Sequence, residues 1–287
     1  MAIILVTGSS TGIGFATALM LAQSGHKVYA SMRNPQNAPE LQRLAEAELL
    51  PIHIIAMDVN DDTSVKTSIE SILNKEGVID VLVNNAGIAI PGAVEELPLA
   101  CFKDEMETNY FGTIRCIQAV LPNMRKRKSG CIINVTSIAG RYYGQFQSGY
   151  CASKAAVEAF SESLAQELQP HNVRVALVEP GVILTPIFSK GAMPVSPNYP
   201  NAKRLAAFFQ ASLERKTQPS VVAEVIKDIV DGTSTQFGNL AGPDASPLTS
   251  YRDSITDEEW ISSVNIDDET FIANMETIGL NVKAYMN

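Results

Sequence analysis

Short apolar runs rich in Ile and Val recur along the chain: Ile3 to Val6, Lys27 to Ala30, Ile52 to Met57, Val78 to Val83, Cys131 to Val135 and Val173 to Val178. The stretches between them are longer and carry apolar residues at helical spacing. Runs of this kind, alternating with helices, read as strands buried on both faces of a parallel sheet that is covered on each side. The pattern predicts a doubly wound, Rossmann-type α/β fold.

After Pro180 the pattern changes. Pro186, Pro194, Pro197 and Pro200 break a segment that also holds Phe188, Met193, Phe208 and Phe209. A lid over a pocket has this composition, and so does an ordinary surface excursion. Helical spacing returns over Ser220 to Val230, a last strand is expected near Gln236 to Ala241, and the acidic tail from Asp244 reads as an appended helical element or a partly ordered end. No internal repeat is visible. The expected organisation is a single domain over residues 1–245 with its lid at about 185–217, and a C-terminal extension over 246–287 that packs on it or trails from it.

Composition narrows the function classes. Of 287 residues 46% are hydrophobic and 18% charged, a balance that suits a packed globular protein. A formal net charge of −9 argues against nucleic-acid binding, which needs clustered cations. The one basic run, Arg125 to Lys128, sits at a predicted helix end, where cations suit the macrodipole. The apolar run Ala2 to Val6 is too short for an integral membrane segment and lacks a cationic flank. Cys101, Cys116, Cys131 and Cys151 show neither a CxxC pair nor metal-ligand spacing, and no secretion signal is apparent. The expectation is a reduced, cytoplasmic protein without a metal.

The first strand runs straight into Thr7-Gly8-Ser9-Ser10-Thr11-Gly12-Ile13-Gly14, followed by a helical pattern over Phe15 to Gln23. Gly8 permits a tight turn, and the missing side chains of Gly12 and Gly14 let a pyrophosphate approach and the helix pack on its strand. The helix N-terminus offers free N–H groups to the anion. Three residues separate the first two glycines, where most dinucleotide folds have one. Taken alone, the cluster also reads as a plain structural turn.

Tyr150 and Lys154 stand four apart in a helical stretch, Tyr150 to Leu168, so both fall on one face. A phenol with pKa about 10 needs a neighbouring cation to act as a base at neutral pH. Tyr199 and Lys203 have the same spacing, but Pro200 lies between them and no strand precedes them. Ser137 stands just past the strand Cys131 to Val135, at the sheet edge where ligands bind, and could hold a substrate oxygen; a cap or turn is the other reading. Asn109 lies inside an otherwise helical stretch, Leu99 to Met124, close to Gly112. Either a local kink lets it bind water or a backbone group, or it faces solvent.

Taken in order, Thr7 to Gly14, Asn84-Asn85-Ala86-Gly87, Asn109, Ser137, Tyr150 with Lys154, and Pro180-Gly181 with Thr185 resemble the motif set of the short-chain dehydrogenase/reductase family over residues 2 to 240. The resemblance implies a tetrad in which Asn109 orders a proton-relay water, Ser137 positions the substrate oxygen and Tyr150 is the acid/base. In it Lys154 would bind the nicotinamide ribose and depress the phenol's pKa. It further implies Asp58 and Val59 beside the adenine, Asn85, Ala86 and Gly87 along the cofactor groove, and Val182 and Thr185 at the carboxamide, next to Pro180. The stretches Lys27 to Arg33 and Tyr150 to Lys154 are most similar to the branch with 17-beta-hydroxysteroid and retinol dehydrogenases.

Cofactor choice rests on Arg33. It falls at the end of the second strand, where the count from Gly14 reaches the adenosine ribose, and no Asp or Glu lies between Ala30 and Asn37. A guanidinium there can pair with the 2′-phosphate of NADP, with Ser10 as an added donor, so NADP is expected over NAD; an Arg pointing into solvent is the alternative. Tyr142, Tyr143, Phe146, Phe188 and Met193 could supply an apolar pocket for hydrophobic ketones or alcohols, or simply pack a core or a subunit interface. The helices Leu99 to Met124 and Tyr150 to Leu168 carry apolar residues round much of their circumference, which, with the resemblance, points to a homodimer or homotetramer. Two other functions compete: a dinucleotide-binding redox sensor, which typically loses the Tyr or Lys, and a sugar-nucleotide epimerase, which usually has other glycine spacing and a larger substrate domain.

Overall fold

Each of the apolar runs becomes a strand, and one more follows near the C-terminal end, in a computed structural model that describes residues 1–189 and 196–286. In chain order they are β1 (Ile3–Val6), β2 (Lys27–Met32), β3 (Ile52–Ala56), β4 (Val81–Asn84), β5 (Gly130–Val135), β6 (Val173–Pro180) and β7 (Gly238–Ala241). All pair in parallel, in the spatial order β3-β2-β1-β4-β5-β6-β7. The direction of winding reverses between β1 and β4, so a crevice opens there at the carboxyl ends of the strands. Successive strand residues point to opposite faces. Ile4 and Val6 join Ala18, Leu21, Val83 and Ile133 on one side, while Ile3 and Leu5 join Leu82, Ile117, Ile132 and Leu164 on the other.

Helices cover both faces: α1 (Gly12–Gln23), α2 (Pro39–Ala47), α3 (Asp62–Glu76), α4 (Leu99–Glu105), α5 (Gly112–Arg127), α6 (Ser148–Leu168), α7 (Ala202–Leu213) and α8 (Ser220–Val230). Most boundaries shift by a residue or two from the sequence pattern, and three departures are informative. The first helix starts at Gly12, three residues early, because the glycine loop itself winds into the first turn. The strand expected over Val78 to Val83 pairs only from Val81 and runs on to Asn84. The helix expected over Leu99 to Met124 is interrupted by a π-turn at Met106–Phe111 and continues to Arg127, where the basic run meets the helix end and Lys128 turns left-handed at φ 52°.

The acidic tail is helical, forming α9 (Ala245–Asp253), α10 (Asp257–Ser262) and α11 (Asp268–Thr277). Its last residues, Leu280, Val282 and Met286, close a small core with Ala207 and Ala211 of α7. Met193 and the side chain of Phe188 lie outside the described residues. Among the described residues no helix is long and apolar enough to cross a membrane.

Candidate active site

A cavity of about 590 Å³ opens at the carboxyl edge of the sheet. One side is a groove made by Gly8, Ser10, Gly12 and Ile13 after β1, Arg33 after β2, Asp58 and Val59 after β3, Asn85, Ala86 and Gly87 after β4, and Pro180, Val182 and Thr185 at the end of β6. Of the positions expected to meet a cofactor, Gly14 alone stands behind this wall. It packs on the Gly8 carbonyl and the Asn85 amide, where a side chain would collide with both. Gly8 has φ 68°, and a Cβ on it would come within 2.8 Å of the Ala86 Cα. The Thr7 hydroxyl accepts from the N–H groups of Asn85 and Ala86 at 2.9 and 3.0 Å, tying the glycine loop to the end of β4.

A nicotinamide dinucleotide fits these residues. The first turn of α1 has no side-chain cap, so its N–H groups remain available to a pyrophosphate. Gly87 has Asn109 Oδ1 and Lys154 Nζ within 3.2 and 3.6 Å of where its Cβ would stand, leaving open backbone in front of the lysine. Arg33 is exposed on the groove wall and makes no hydrogen bond or ion pair with the described residues.

The catalytic candidates converge from two elements. Ser137 leaves β5 and begins a short 3-10 turn, its hydroxyl accepting from Ala139 N at 3.1 Å and donating to Pro180 O at 3.4 Å. Tyr150 and Lys154 lie one turn apart on α6, and all three side chains reach the cavity. Lys154 Nζ donates to Val135 O at 3.0 Å and sits 5.6 Å from the Tyr150 ring centroid. Asn109 is placed differently. It is buried in the π-turn, where its Oδ1 accepts from Ile88 N and its Nδ2 donates to Ile88 O and Ser153 Oγ, each at 2.9 Å. It therefore clamps the chain after Gly87 from behind the wall, and both its amide hydrogens are committed. The second Tyr/Lys pair separates: Tyr199 donates to Glu95 and Lys203 pairs with Asp268, away from the cavity.

Burial dominates the electrostatics. It raises the Tyr150 phenol to about 12, with the hydrogen bond to Ser137 opposing, and it depresses Lys154 to about 8, with Glu158 opposing. Buried Glu105 rises to about 7; it accepts from Ile90 N at 2.8 Å and fills the space left by Gly149, next to Tyr150. Sequence reasoning missed Glu105, because nothing in its spacing separates it from the solvated carboxylates around it.

The outer half of the cavity is largely apolar. Tyr142, Ile88, Ile90, Phe208, Phe209 and Leu248 line it, with Gln147 as a polar group near the catalytic helix. Tyr142 was expected there; Tyr143 and Phe146 are not on the wall. Tyr143 is half-exposed, and the Phe146 ring packs edge-on against Tyr199. Leu248 comes from α9, a contribution that no motif announces.

Known proteins repeat this architecture. A chain from Bacteroides thetaiotaomicron described as 3-ketodihydrosphingosine reductase is 41% identical over 179 residues, covering 62% of this chain and 63% of that one, so the match spans less than two thirds of the relative. Human retinol dehydrogenase 8 is 33% identical over 264 residues, covering 87% of this chain and 84% of that one. The crystal structure of a short-chain dehydrogenase from Streptomyces avermitilis superposes with a TM-score of 0.79 at 31% identity over 96% of this chain and 97% of that one. The family model for short chain dehydrogenases matches residues 2–194, a span that includes the glycine loop, Ser137, Tyr150 and Lys154, and the chain belongs to that family.

Proposed function

We propose that this protein transfers a hydride between NADP(H) and a hydrophobic ketone, aldehyde or secondary alcohol, with Tyr150 as the acid/base. The observation that carries the reading is the position of Ser137, Tyr150 and Lys154 on one wall, between a glycine-lined groove and an apolar outer half. Bound in the groove, the dinucleotide supplies or accepts the hydride. Ser137 holds the substrate oxygen, Tyr150 gives it a proton or takes one, and Lys154 presents its ammonium beside the phenol and the ribose. Asn109 and Glu105 hold the Ile88 to Ile90 segment in register with α6. A phenol that keeps its proton across the neutral range suits donation to a carbonyl oxygen.

Three features support the finer choices. Arg33 is exposed on the groove wall after β2 with no partner among the described residues, which favours pairing with the 2′-phosphate of NADP. Phe208, Phe209 and Leu248 make a hydrophobic substrate the natural occupant of the outer half, and the names of the reductase and retinol dehydrogenase relatives agree with that class. The lid is assigned to about 185–217, of which 190–195 lie outside the described residues, and the extension over 246–287, described to 286, adds Leu248 to the pocket; a homodimer or homotetramer forms through α4 to α6, where Leu99 and Phe111 are 68% and 44% exposed. The test is a titration of both cofactors at one ionic strength into the parent protein and Arg33→Asp, followed by initial rates with hydrophobic and small charged carbonyls. Arg33→Asp should weaken NADP by at least about 2 kcal/mol, roughly thirtyfold, with NAD unchanged or tighter. Equal parental affinity for both cofactors, or turnover of small charged substrates alone, would refute the assignment.

A further inference from the structure

Behind the cavity wall lies a second charge cluster that none of these roles uses. The segments that deliver Ser137, Lys154 and Pro180 each bring another polar side chain to it: Thr136 and Arg141 flank Ser137, Glu158 follows Lys154 by one helical turn, and Glu179 precedes Pro180. Arg141 Nε lies 3.0 Å from Glu179 Oε1 and 3.6 Å from Glu158 Oε2. The Glu179 and Glu158 side chains are 2% and 13% exposed, whereas that of Arg141 is 48% exposed. The Glu158 carboxyl fills the space left by Gly140, where any side chain would strike it, and Glu179 faces Gly238 of β7. Arg141 is therefore the solvent-facing end of the cluster and bridges the two buried carboxylates, and Glu158 stands one helical turn from Lys154.

We propose that Glu158, anchored by Arg141 one helical turn from Lys154, is a positioning residue for Lys154, fixing α6 against the turn after β5. The inference rests on the proposed role of Lys154 beside the phenol. Burial works against both partners. It lowers Lys154, and the Glu158 carboxylate is what opposes that fall. It raises Glu158 to about 7, with Glu179 adding to the rise and Arg141 and the Thr136 hydroxyl opposing it. The charged and titratable groups that face Glu158 are thus Lys154 from its own helix, Arg141 from the turn after β5, and Glu179 from β6; β7 offers Gly238. Without the carboxylate, Lys154 loses its proton at lower pH. Without Arg141, which opposes the rise, Glu158 keeps its proton to higher pH and the same consequence follows by another route.

A purely structural brace would cut activity equally at every pH, so the informative readout is the charge of Lys154 itself. Acetic anhydride reacts with the neutral amine, and Lys154 lines the cavity. Its acetylation is followed by mass spectrometry as a function of pH in the parent, Glu158→Gln, Glu158→Asp and Arg141→Gln. In Glu158→Gln the midpoint should fall by about one pH unit, the low end of the effect of a nearby opposite charge. Arg141→Gln should shift it the same way, and Glu158→Asp should stay near the parent. Unmoved midpoints in both Glu158→Gln and Arg141→Gln would overturn the proposal. Should Glu158→Gln fail to fold, Arg141→Gln, at a half-exposed side chain, decides alone. Because the label requires no turnover, a parent with no carbonyl reductase activity would refute the proposed function and leave this result standing.

Discussion

At the scale of single residues, the balance of burial against neighbouring charge decides what Tyr150 can do. The sequence leads one to expect that Lys154 depresses the phenol, yet desolvation is the largest influence and carries it upward to about 12, with Ser137 opposing. The phenol is then an acid waiting for a developing alkoxide. Lys154 is the weaker point, because burial brings its ammonium down to about 8. Its charge is present below that value and lost as pH rises through it, so the rate of carbonyl reduction should decline through pH about 8, as initial rates across a pH series will show. Tyr150→Phe keeps the ring and removes the proton carrier. Turnover should drop by about two to four orders of magnitude, with cofactor affinity by fluorescence titration little changed. Near-parental turnover in that variant would remove Tyr150 from the mechanism.

Elements divide into those legible in the sequence and those that only tertiary contact creates. The strands were legible because burial on both faces leaves a short apolar run, as in Ile3–Val6 and in Val175 to Val178 within β6. The glycine loop was legible too, since positive φ and close approach to Ala86 leave no room for side chains at Gly8. Asn109 was readable as an anomaly in a helix, but the π-turn that aims it at Ile88 depends on a partner segment about twenty residues earlier. The outer pocket was least legible, because Leu248 reaches it, and Trp260 backs its wall, through folding of the extension and not through any local pattern. Trp260 Nε1 donates to Tyr143 O at 3.1 Å, and its ring stands 4.6 Å from that of Tyr142, which lines the cavity. Trp260→Ala should therefore raise KM for a bulky hydrophobic ketone by up to about tenfold, the range of one aromatic pair, and leave a small aldehyde nearly unaffected. Equal effects on both substrates, measured by initial rates, would show that α10 has no part in the pocket.

For the whole molecule, a parallel sheet places every loop that carries chemistry at one edge, and the helices that support those loops are left with an outward face. Leu99 and Phe111 are exposed on the face formed by α4 and the π-turn beside it. Sedimentation at micromolar concentration should give the mass of a dimer or tetramer, and a monomer would contradict the proposed assembly. The central claim is hydride transfer itself, and one measurement reaches it directly. NADPH carrying deuterium at both hydrogens of the transferring carbon is incubated with the protein and a hydrophobic ketone, and the alcohol is analysed by mass spectrometry. The account predicts label on the carbinol carbon, strongly reduced in Tyr150→Phe. Alcohol formed without label, or no alcohol from any hydrophobic carbonyl while the cofactor binds, would contradict it.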